Sequence, residues 1–133
     1  MINLQDSYVI PPTPANFSPG QVVLHMHYGY RGLIIDFDST FQADDGWYKG
    51  NQTQPDKNQP WYHVLVDGQH HVTYVAQSNL LPDPSKEPVI HPMLNLFFSG
   101  HDEATNLYLR NEVPWNPGQP PEAPPPLPPE QLT

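Results

Sequence analysis

Between residues 22 and 76 apolar side chains recur at every second position in several short runs. Val22, Leu24 and Met26 alternate with Val23, His25 and His27, the period of an extended strand rather than a helix. Tyr28-Gly29 then reads as a turn, and Leu33, Ile35 and Phe37 mark one face of a second strand. The run PWYHVLVD (Pro60 to Asp67) predicts a third strand, closed by a tight turn at Asp67-Gly68-Gln69, and HHVTYVA a fourth. Ser78 to Pro82 predicts a short turn of helix or a strand stub, stopped by Pro82.

Four or five short strands in this span predict an all-β fold, an SH3-like small barrel over residues 17–82. Ser39 to Pro60 is polar apart from Phe41, Trp47 and Tyr48 and is expected to be a long loop. Residues 83–113 form an appended segment, in which MLNLFF is apolar enough to pack on the barrel. DEATNLYLRN there suggests one or two helical turns with Asp102 as cap. Prolines set the ends. Residues 1–16, with IPPTP, read as an extended arm. Residues 114–133, with EAPPPLPPE, read as a disordered polyproline-II tail, since such a segment cannot bury enough apolar surface to offset its ordering entropy. Its PxxP pattern suits SH3- or WW-type grooves, but no arginine lies close enough to orient such docking, and a solubilising tail is the expectation.

Composition narrows the function. The chain has no cysteine, which excludes disulfides and thiolate metal sites. No cationic leader and no run of about 18 apolar residues appears, so a soluble cytoplasmic protein is expected, and the Asn16 and Asn51 sequons carry no weight. The net charge is −9. Residues 17–82 hold Arg31, Lys49 and Lys57 against six aspartates, a net of −3, with no basic stripe for a phosphate backbone.

Three chemistries can be weighed. His25 and His27 share a strand face, and His63 could approach from a neighbouring strand to hold zinc or nickel, but no carboxylate or cysteine completes the set. Asp36/Asp38 and Asp44/Asp45 would need a cleft and a partner nucleophile for catalysis, and a small barrel encloses none. The expectation is therefore no enzyme and no cofactor. Aromatic residues offer more. Trp61, Tyr62 and Tyr74 are expected in the core. Tyr28, Tyr30, Trp47 and Tyr48 lie on a turn and a loop, where surface roles concentrate. In the corner Gly29-Tyr30-Arg31-Gly32 the glycines allow a turn or a close strand approach. Strict alternation puts Arg31 on the Leu33 face, whereas a bulge at Gly32 would turn it outward. With that bulge, Tyr28, Tyr30, Arg31, Trp47 and Tyr48 are the expected partner-binding set.

Gly20 to Val23, His25, Tyr28 to Gly32, Asp36 and Asp38, followed by Pro60 to Asp67, Tyr74 to Ala76 and Asn79-Leu80, resemble the YccV-like family, also called the HspQ or hemimethylated-DNA-binding domain family. The resemblance spans residues 17–82 and implies an SH3-like barrel without catalytic activity. It implies two roles: binding hemimethylated DNA, or work in protein quality control as a heat-shock factor tied to ATP-dependent proteolysis or a module of ubiquitin-ligase substrate receptors. The chain departs from the pattern at Leu24, where members usually carry a basic residue, and at Gln77-Ser78, where they usually continue with acids. The missing cation and the charge balance favour a protein-interaction adaptor, with a partner such as an ATP-dependent protease or its substrates. DNA binding is the alternative.

Overall fold

The structure is a computed structural model and describes residues 13–51 and 54–116. Residues 1–12 of the expected arm and 117–133 of the expected tail lie outside that range. The fold is all-β, as expected. Strands β1 (Val22–His25), β2 (Arg31–Asp38), β3 (Trp61–Val66), β4 (Val72–Ala76) and β5 (Leu80–Pro82) form one antiparallel sheet in the order β4-β3-β2-β1-β5. Its two edge strands are separated in sequence only by the 3-10 turn Gln77–Asn79. A flat sheet of five strands is about 19 Å wide, and four residue steps reach at most about 14 Å. The sheet must therefore curl until its edges approach. The hydroxyls of Tyr30, before β2, and Thr73, on β4, share a hydrogen bond of 2.8 Å across that curl. The result is barrel-like, with the ladder itself open between β4 and β5.

Both faces of the sheet are buried. Val23, Ile34, Tyr62, Val64, Val75 and Leu80, drawn from all five strands, gather with Phe17 on one face. Val22, Leu33, Ile35 and Leu65 meet Val89, Phe97, Phe98 and Tyr108 of the appended segment on the other. This explains the unbroken apolar run Leu33-Ile34-Ile35 at the centre of β2, each residue worth roughly 1.5–3 kcal/mol when buried. The register against β3 runs Ile34↔Val64 and then Asp36↔His63, so Ile35 is the extra residue of a bulge. Two expectations are corrected here. The bulge lies at Ile35 and not at Gly32, and it moves Phe37 off the Leu33 face to pack against the Ile34 cluster.

The loop from Ser39 to Pro60 contains a five-residue helix, α1 (Asp45–Lys49), whose N-cap Asp44 accepts a hydrogen bond from the Trp47 amide at 3.0 Å. The appended segment also differs from expectation. A single turn, α2 (Leu94–Phe97), leads into an antiparallel hairpin, β6 (Phe98–Asp102) and β7 (Leu107–Arg110). Asp102 does not cap a helix. Its Oδ1 accepts from the Ala104 amide at 3.0 Å, an Asx-type contact inside the hairpin turn. β7 is tied to the sheet by the Tyr108 amide donating to the Gly20 carbonyl (2.9 Å) and by Arg110 Nε donating to the Ile35 carbonyl at the bulge (2.9 Å). Trp115, assigned by sequence to the tail, packs on this core within 5.7 Å of Phe97 and 5.6 Å of His63, ring centre to ring centre. Among the described residues no helix is long and apolar enough to cross a membrane.

Candidate interaction surface

The corner that joins β1 to β2 is built on a histidine. His25 is buried, and its Nδ1 accepts from the amides of His27 and Tyr28, both at 3.1 Å. Its backbone closes the turn, with the His25 amide donating to the Tyr30 carbonyl and the Gly29 amide to the His25 carbonyl, each at 2.8 Å. These bonds bend the chain after His25, so β1 stops two residues before the alternation does. Gly29 takes φ +76, which a Cβ disfavours. Gly32 is needed for another reason: a Cβ there would overlap Val64 Cγ1 and stand 2.8 Å from the Leu65 carbonyl oxygen. The Tyr28 ring stacks on His25 at 4.5 Å, and Tyr30 lies tilted at 5.1 Å. Burial, then the neighbouring His27, lowers the His25 pKa to about 4. The imidazole therefore stays neutral, as a double acceptor at Nδ1 requires.

The predicted site residues do not form one displayed rim. Arg31 follows strict alternation onto the Leu33 face and turns into the molecule. Its Nη1 meets Asp67 Oδ2 at 2.8 Å, and its Nε and Nη2 meet Asp83 Oδ2 at 3.1 and 3.0 Å. It also donates to the carbonyls of Glu87 and Pro88. The Arg31 side chain is 19% exposed and that of Asp83 only 2%. Burial opposes the charge of both. The pairing more than offsets it, raising the guanidinium and holding the Asp83 carboxyl below the usual carboxylate range. The expectation of an outward Arg31 is corrected, because its bulge lies four positions further on. Tyr30 is engaged by Thr73, and burial pushes its phenol well up.

Trp47, expected at the surface, is buried beside Phe41, Trp61, Tyr74 and Ala76, with ring centres 5.7–6.3 Å apart. Tyr48 is half-buried, its hydroxyl donating to the Gln54 and Pro55 carbonyls, both at 2.9 Å. Lys57 lies over the Tyr48 ring at 4.5 Å while pairing with Asp45 at 2.6 Å. Tyr28 and Tyr48 thus keep part of their rings in solvent but belong to separate ring clusters. Trp61, Tyr62 and Tyr74 lie in the core as expected.

Sequence reading takes Asp38, His63 and Tyr74 separately and does not join them into one half-buried polar group. Asp38 Oδ2 accepts from the Tyr74 hydroxyl at 2.6 Å and lies 3.5 Å from His63 Nε2, which stacks on Tyr74 at 4.6 Å. Burial would raise the Asp38 carboxyl, yet the hydrogen bonds from His63 and Tyr74 outweigh it and hold it low. The β3–β4 register His63↔Tyr74 was the signal for this group. Among the described residues no three His, Asp or Glu side chains converge as a metal ion requires, and His25 spends its Nδ1 on the turn.

Comparison with known proteins gives two findings. The family described as "Hemimethylated DNA-binding protein YccV like" matches residues 15–105. F-box only protein 21 of Mus musculus is 32% identical over 87 residues, which cover 62% of this chain and 14% of that protein. The chain therefore corresponds to a small part of that relative's length.

Proposed function

The chain belongs to the YccV-like family, and from that premise we propose that it is a non-enzymatic binding module that engages a protein partner, as an adaptor in regulated protein turnover. The observation that carries this reading is the disposition of its five cations. Arg31 is held by Asp67 and Asp83, Lys49 and Lys57 share Asp45, and Arg110 is turned onto backbone carbonyls. Lys86 alone has neither an ion pair nor a side-chain hydrogen bond among the described residues. A phosphate backbone is bound by cations that exchange counterions for phosphates, and a surface of net charge −9 offers almost none. The likeness to an F-box protein supports the same direction, because modules of this family are expected within protein-turnover receptors.

The family description favours a second reading, hemimethylated DNA. Fluorescence anisotropy with a hemimethylated and an unmodified duplex decides between them. At near-physiological salt the adaptor reading expects binding weaker than roughly micromolar, a shallow salt slope and no preference between duplexes. Tighter binding that favours the hemimethylated duplex overturns it. The adaptor reading also expects that crosslinked capture by the full chain recovers a protease or ubiquitin-ligase subunit.

A further inference from the structure

The outward row of β7 is apolar where a solvent-facing strand is ordinarily polar. Tyr108 points into the core, so Leu107 and Leu109 point away from it, 44% and 62% exposed. They stand about 7 Å apart on one face. Leu109 lies across Gly100 of β6, where a Cβ would press on its Cδ1 at 3.0 Å. Asn111, next in the row, donates to the Leu96 carbonyl at 2.9 Å, which brings the exposed Leu96 to the row's end. Asp102, which pairs with Leu107 across the hairpin, and Glu103 and Glu112, which flank β7 along the chain, are exposed. The hairpin's one cation, Arg110, is directed inward over the Phe97 ring at 5.1 Å and does not neutralise that rim.

We propose that this face of the β6–β7 hairpin docks a basic segment of a partner protein that alternates apolar anchors with Lys or Arg. The proposal rests on the protein-binding reading and names the surface and chemistry it uses. Apolar side chains seat on the leucine row, and the cations meet the carboxylates of the rim. Charge selects this occupant. A second copy carries the same net −9, and nucleic acid or anionic lipid would meet the rim with repulsion. β7 lies beyond residue 105, where the family match ends, so the family description does not speak to it.

The test uses the full chain, isotope-labelled, and a synthetic peptide of alternating Leu and Lys about twelve residues long, with a Leu/Glu peptide as control. The Leu/Lys peptide is expected to bind saturably, with amide shifts confined to residues 96–112, and at least ~10-fold tighter than the control. Leu107→Ser with Leu109→Ser should weaken it by ~10-fold or more, as should Glu103→Lys with Glu112→Lys, a pair that leaves the leucines in place. Shifts centred elsewhere, equal affinity for both peptides, or a wild-type dimer abolished by the serine pair each overturn the proposal. A captured partner that binds wild type and the serine variant equally overturns the hairpin surface and leaves the adaptor reading standing. Tight hemimethylated-duplex binding overturns the adaptor reading, and the peptide shifts then judge the hairpin separately.

Discussion

Arg31 joins three stretches of backbone through one guanidinium: its own strand, the β3–β4 turn through Asp67, and the run from Asp83 to Pro88. Arg31→Ala would leave the Asp83 carboxylate buried without its counter-charge. The expected cost is about 2–4 kcal/mol in a urea melt, partly recovered by adding Asp83→Asn. A loss under about 0.5 kcal/mol would return Arg31 to the surface. His25 makes a pH prediction. Its folded pKa, about 4, lies below the ordinary 6.5, so its contribution is complete above 6.5 and fades as pH falls towards 4. Burial lowers His71 and His91 as well, in the same direction. The melting temperature should therefore fall between about pH 7 and 4.5, and His25→Asn, which keeps an acceptor for the turn amides, should flatten part of that slope. Asp38 and Asp83, both held low, add their own loss only below their ordinary 3.8.

At the scale of elements, strands were legible wherever one face differed from the other. β1, β3 and β4 alternate or run apolar between turn residues, and each was found within a few residues of its place. The bulge in β2 was not legible, because Leu33, Ile34 and Ile35 are all apolar and a strand buried on both faces has no alternation to break. α1 is too short to show a helical period. The hairpin was hidden for two reasons. Asp102 followed by a backbone amide two residues on resembles a helix cap, and the outward leucines of β7 erase its period of two. Trp115 shows how an element's end depends on one side chain. In a proline-rich stretch it reads as tail, but its ring lies against His63 and Phe97. Trp115→Ala should cost about 1–3 kcal/mol, measurable as a lowered melting temperature. An unchanged melt would mean the ring contributes no stability there.

For the molecule as a whole, charge could be read from the sequence but the commitment of each charge could not. The count of five cations was visible; that Arg31 and Arg110 turn inward and that Lys49 and Lys57 share Asp45 at the surface required the structure. The display of Trp47 was misread at the same scale, since its position on a loop suggested the surface while ring packing places it in the interior. Sheet burial on both sides also fixes what counts as the folding unit. A fragment ended at residue 82, where the five-stranded sheet stops, would strip Val89, Phe97, Phe98 and Tyr108 from Val22, Leu33, Ile35 and Leu65. It would expose an apolar face and a sheet bulge together, the combination that turns a recombinant product into inclusion bodies. Any minimal version transplanted into another protein has to carry the chain through Trp115.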